Sequence, residues 1–209
     1  FTQAATPELL ARVQKEHNDP PRALEDVEAA SLEFDILIRL RRIEEAKTLI
    51  TKLMNQFERF RLGDGNLRQL WSRKVLSELP GTTAQAWLAL LSGQAEKVPG
   101  LDAAPAQTPW LLNYLYLRNH HFGESDRDLL DALVQRPVPT ELPNSFAVEW
   151  WKFIGNRRFE YRDYEAASLA FKNAAAIAPD GSRDAILLAA NEALYALHLE
   201  RAKARNVHH

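Results

Sequence analysis

The chain has 209 residues, of which 46% are hydrophobic and 26% charged, with a formal net charge of −2. That balance is ordinary for a globular chain with a sizeable core, and it excludes intrinsic disorder. The lack of a basic surplus argues against a dedicated nucleic-acid binder. Without cysteine there is no disulfide or thiolate chemistry, and no apolar run approaches the ~20 residues of a membrane-spanning helix. The start at Phe1 rather than methionine is read as the mark of a removed upstream segment, and the missing cysteines lean toward a periplasmic or otherwise exported protein over a cytoplasmic one.

The first predicted helix opens at "TPELLARVQKEH", where Thr6 can cap, Pro7 suits the first helical position and Glu8 complements the dipole. "NDPP" at 18–21 breaks it. Residues 22–42 form a second helix buried along a wide stripe that includes Leu24, Val27, Phe34, Leu37 and Ile38. A third runs through "RIEEAKTLITKLMNQFERFRL" and stops at "GDGN", 63–66. Residues 67–79 put Leu70, Trp71, Val75 and Leu76 on one face of a fourth, and Thr82 with Gln85 form a capping box for a short helix through Leu91.

Seven of the eleven prolines fall between 80 and 143, which marks an irregular middle region with its loop at "GQAEKVPGLDAAPAQ". A helix restarts at Thr108–Pro109, and "ESDRDLLDALVQRP" gives another with Ser125 as its cap. Then comes "WWKFIGNRRFEYRDYEAASLAFKNAAAIAPDG", a helix opened by two tryptophans and joined to an alanine-dense partner that Asp163 caps and Pro179 and Gly181 stop. A long terminal helix covers 182–205. No stretch reads as a strand, so the fold class is all-α.

Ala166, Ala167, Ala170, Ala174, Ala175 and Ala176 are too many small residues for a lone surface helix, and Gly155 offers the same close approach on its partner. Trp151, Ile154 and Gly155, followed by Tyr164, Ala167, Phe171, Ala174 and Pro179, resemble the tetratricopeptide repeat at its own spacing, with Arg158 where that repeat carries a tyrosine. Ala46, Ile50 and Leu53, preceded by Ile43, are similar to it at the same offsets, although Phe34 holds the small-residue position. Ser125, Leu129, Ala132 and Pro137, with Trp110 upstream, follow the pattern again. The resemblance implies a single domain over 1–209: a right-handed superhelix of stacked antiparallel helix pairs. Its parts are degenerate helices over 1–79, the proline-rich middle over 80–143, one good repeat over 144–181 and a capping helix over 182–205.

It further implies a non-enzymatic adaptor that holds a partner protein or peptide in a concave groove, for instance during assembly of an envelope-associated complex. The implied groove residues of the best repeat are Glu149, Lys152, Asn156, Phe159 and Glu160, joined by Trp110 and Tyr114 if the middle repeat is in register. Lys152, Gly155, Asn156 and Phe159 also resemble the first half of a carboxylate clamp, whose second half would fall near Leu187 rather than Asn191. Trp150, with no part in the repeat pattern, is left free to face a partner.

Other features weigh less. His120–His121 point ~100° apart on a helix and lack companion ligands, so no metal or cofactor is expected. "GDGN" has no Glu at the twelfth position of a calcium loop, where Val75 stands. "RLRR" at 39–42 is interleaved with Glu44 and Glu45, which reads as paired surface charge. No nucleophile–base arrangement suggests an enzyme. The rival reading is a structural or oligomerisation module of a longer or membrane-anchored protein. It gains ground if the terminal helix exposes Leu187, Leu194 or Leu197.

Overall fold

The computed structural model describes residues 4–56, 64–96, 98, 108–119, 125–140 and 142–206. Among them are ten α-helices and no strand. None of these helices is long and apolar enough to cross a membrane. The chain divides into two compact units, Phe1–Gly123 and Glu124–His209.

The first unit holds α1 (Pro7–Glu16), α2 (Leu24–Arg39), α3 (Ile43–Met54), α4 (Asp64–Ser77), α5 (Gly81–Leu91) and α6 (Trp110–Asn119). Helix α1 starts as its sequence predicts, with the Leu9 amide donating to Thr6 Oγ1 at 3.1 Å and Pro7 in the first turn. Glu33 of α2 binds α1 through a buried polar contact. It accepts from Gln14 Nε2 and hydrogen-bonds His17 Nε2, both at 2.8 Å. Asp64, Gly65 and Asn66 belong to the first turn of α4 rather than to a helix stop. The capping box at Thr82 and Gln85 does not form: Pro80 precedes α5 without a side-chain cap. Gln85 Nε2 instead donates to the Ile38 and Arg39 carbonyls, both at 3.1 Å, and so satisfies the orphan end of α2.

The turn into α2 is organised by Asp26. Its carboxylate accepts from the backbone amides of Asn18, Arg22 and Ala23 and from the Asn18 side chain, at 2.8–3.3 Å. The Arg22 amide, then the Asn18 amide, hold its pKa down from the usual 3.8 to about 2, against the opposing effect of burial. A depressed carboxylate stabilises the fold above its unfolded pKa and loses that contribution as pH falls toward the folded value. The stability gap between the native chain and Asp26→Asn should therefore be full above about pH 4 and shrink steadily toward about pH 2. Thermal melts at several pH values in this range check it, and a gap independent of pH would contradict it.

The second unit holds α7 (Ser125–Val134), α8 (Asn144–Glu160), α9 (Tyr164–Ile177) and α10 (Asp180–Asn206). Helix α8 begins six residues before its tandem tryptophans, behind Pro143. Asp163 stands at the start of α9 but makes no capping bond; its carboxylate lies 3.7 Å from Arg158 Nη1. Helix α9 ends ahead of Pro179, where Ala178 turns extended. Arg183 closes that end, donating from Nε to the Ala175 carbonyl and from Nη2 to the Ala178 carbonyl, both at 3.2 Å.

The two units share one local device. After α2, the Arg41 amide donates to the Ile38 carbonyl and the Arg42 amide to that of Leu37; after α8, Arg162 donates to Phe159 and Asp163 to Arg158, at 2.9–3.0 Å throughout. Arg41 and Arg162 both take φ 61°, the left-handed conformation that lets a helix end and its partner turn back at once. The shared turn aligns Phe34 with Gly155 and Ile50 with Phe171. A bulky residue on the first helix and a smaller one on the second in α2–α3 become no side chain and a ring in α8–α9.

Candidate cleft between α8 and α10

Helix α9 packs against both α8 and α10. Its small residues allow this: Ala167, Ala174, Ala175 and Ala178 form one buried cluster with Phe171, with Val148 of α8, and with Ile186, Ala190 and Ala193 of α10. Trp151 packs against the edge of that cluster. The tightest approach is at Gly155, where an added Cβ would lie 2.7–2.8 Å from three carbons of the Phe171 ring, well inside contact distance.

Arg158 explains its departure from the repeat pattern. Largely buried, it forms an ion pair with Asp131 of α7. Arg127 of α7 lies 4.2 Å over the Tyr161 ring. Two arginines thus fasten α7 to the C-terminal end of α8, where a tyrosine would offer no charge.

Between α8 and α10, with Phe171 at its base, lies a cleft of about 430 Å³. It is lined by Phe153, Asn156, Arg157, Phe159 and Glu160 from α8, and by Ala189 and Glu192 from α10. Three of the expected groove residues, Asn156, Phe159 and Glu160, meet here. Phe159 is 39% exposed and leans edge-on against Tyr164, with ring centroids 5.1 Å apart. Arg157 Nη1 pairs with Glu160 Oε2 at 2.7 Å, and its guanidinium lies 5.4 Å from the Phe153 ring. Asn156 and Glu192 are exposed and make no hydrogen bond or ion pair among the described residues.

The other expected residues fall elsewhere. Lys152 Nζ is bonded to Glu149 Oε1 at 2.8 Å, and neither lines the cleft. Trp110 and Tyr114, expected at groove positions, are 4% and 0% exposed within the first unit. Tyr114 accepts from Arg118 Nη1 at 2.6 Å and sits 5.5 Å from the Trp110 ring. They are core residues because α6 is buried from Trp110 through Leu117 and offers no solvent face. Trp150, expected to face a partner, is 1% exposed and stacks on Phe153. His120 and His121 lie outside the described residues.

Sequence reading missed Phe153, Arg157, Phe171, Ala189 and Glu192 as cleft residues. Glu192 was within reach of it, one position beyond Asn191. The clamp is not assembled: Lys152 is engaged by Glu149, and Leu187 holds the position where a second amide would be needed. With Arg157 and Glu160 paired, Glu192 gives the cleft a net negative charge.

The chain matches no protein-family model, and no curated protein or solved structure is significantly similar to it.

Proposed function

We propose that this chain is a tetratricopeptide-like, non-enzymatic adaptor that receives a segment of another protein in the α8–α10 cleft. The observation that carries the reading is the cleft's composition. An aromatic wall of Phe153, Phe159 and Phe171 stands beside an exposed amide and an exposed carboxylate that have no partner among the described residues. Aromatic anchoring combined with a few oriented polar groups is the usual chemistry of peptide recognition on a rigid helical scaffold. Glu192 favours a segment bearing an apolar side chain next to a lysine or arginine, and opposes capture of a chain-terminal carboxylate. The Gly155–Phe171 approach and the repeated left-handed turn support the stacked helix-pair reading.

Capture from extract of the native organism tests this. The native chain is the bait, beside a variant carrying Asn156→Ala, Phe159→Ala and Glu192→Ala. The expected result is a discrete protein retained by the first and reduced at least about tenfold on the second, since a hot-spot aromatic and a charge together are worth that much. Equal recovery on both baits, with helicity matched, would contradict the assignment.

A second reading draws on α10. Leu187, Leu188, Tyr195 and Leu199 of this helix are exposed, Leu188 and Tyr195 by 60% and 65%. Such a stripe favours self-association or packing within a longer chain. A dimer by light scattering that Leu188→Glu and Tyr195→Glu convert to monomer would favour this reading over the adaptor.

A further inference from the structure

A second cavity, of about 380 Å³, lies wholly within the first unit between α2, α4, α5 and α6. That size is within the range of small-molecule sites, ~300–1,000 Å³. Its apolar side is made by Leu76, Leu88 and Leu115, all buried. Its polar side carries Arg68, Arg73 and Arg118 against a single carboxylate, Asp35. Asp35 is already taken. Arg73 grips it with two parallel bonds, Nε to Oδ1 and Nη2 to Oδ2, both at 2.9 Å, and both side chains are largely buried. Arg68, half-buried and also lining the cavity from α4, makes no ion pair or hydrogen bond among the described residues.

A guanidinium with no carboxylate of its own at the wall of an apolar cavity is an anchor for an anion. Arginine's planar fork matches the oxygens of a carboxylate or phosphate, and the leucine side would take up an apolar body. We propose that this cavity binds a small amphipathic organic anion, a carboxylate or phosphate head on a short aliphatic chain, with Arg68 as the principal contact to the head. The site is independent of the α8–α10 cleft and of the function proposed for it.

Calorimetric titration of the whole chain tests the proposal, using octanoate, octyl phosphate, 1-octanol and inorganic phosphate as probes. At least one of the two octyl anions is expected to bind at least about tenfold more tightly than both octanol and inorganic phosphate, because head and body each contribute. The two anionic arms identify which head is preferred. Arg68→Glu should abolish binding, while Arg68→Lys, which keeps the charge but loses the fork, should weaken it less. Circular dichroism confirms that both variants fold. Octanol or inorganic phosphate binding as tightly as the better octyl anion, no binding by either octyl anion, or Arg68→Glu binding like the native chain would each overturn the proposal.

Discussion

Replacing Gly155 with leucine is expected to destabilise the second unit by more than about 3 kcal/mol, and replacing it with alanine by ~1 kcal/mol net. The cause is steric. Phe171 is buried, and its ring occupies the space that a Cβ at 155 requires, with three ring carbons within 2.7–2.8 Å of it. Alanine would recover about 1 kcal/mol of helix propensity over glycine, so its net loss is smaller than the clash alone. Leucine recovers nearly as much propensity, but its longer side chain meets a far larger clash with the ring. The partner residue supplies the control: Phe171→Leu makes room, so the Gly155→Ala and Phe171→Leu losses should be non-additive by about 0.5–3 kcal/mol in a double-mutant cycle. Urea denaturation of the four chains measures this. Strict additivity would mean that the ring does not rest on Gly155.

Truncating Trp150 to alanine is expected to cost about 3–5 kcal/mol, and truncating Trp151 distinctly less. The tandem pair serves two stripes of one helix. Phe146, Trp150 and Phe153 recur at intervals of four and three, and all are buried. Val148, Trp151 and Gly155 lie nearly half a turn away, on the opposite side of the helix, and face the alanine cluster of α9 and α10. Trp150 is almost wholly buried and Trp151 only partly, so the larger cavity is left by the first. Equilibrium unfolding of the two variants gives the order directly. A larger loss at 151 would reverse the assignment.

Much of this was legible from residue patterns, and the failures have physical causes. The Thr6 cap, the stop before Pro179 and the alanine faces rest on local rules, and the structure follows them. Gln85 reads locally as half of a capping box. Its actual role, closing the end of α2 more than forty residues earlier, is a tertiary contact that no local pattern announces. Arg41 and Arg162 hold a left-handed turn that glycine would ordinarily mark, so that signal was absent. Trp150 was misjudged because a helix with two buried stripes looks, in sequence, like one with a single stripe and a spare aromatic. Trp110 and Tyr114 were misjudged for the opposite reason: from Trp110 through Leu117 only Asn113 interrupts the apolar and aromatic run of α6, and periodicity cannot orient such a stretch. For the cleft, Asn156, Phe159 and Glu160 of α8 were named through the repeat resemblance, whereas Phe153 and Arg157 beside them were not. The α10 contribution, Ala189 and Glu192, depended on how deeply α10 slides along α9, which alanine packing fixes only in three dimensions.

The adaptor reading stands or falls on occupancy of the α8–α10 cleft. The most direct measurement places a photo-crosslinking side chain at Asn156, inside the cleft, and at Arg12, on the exposed surface of α1, and irradiates each chain in native extract. The account predicts a discrete protein adduct from position 156 that is missing from position 12 and that Glu192→Ala diminishes. No adduct at 156, or the same adducts from both positions, would contradict it.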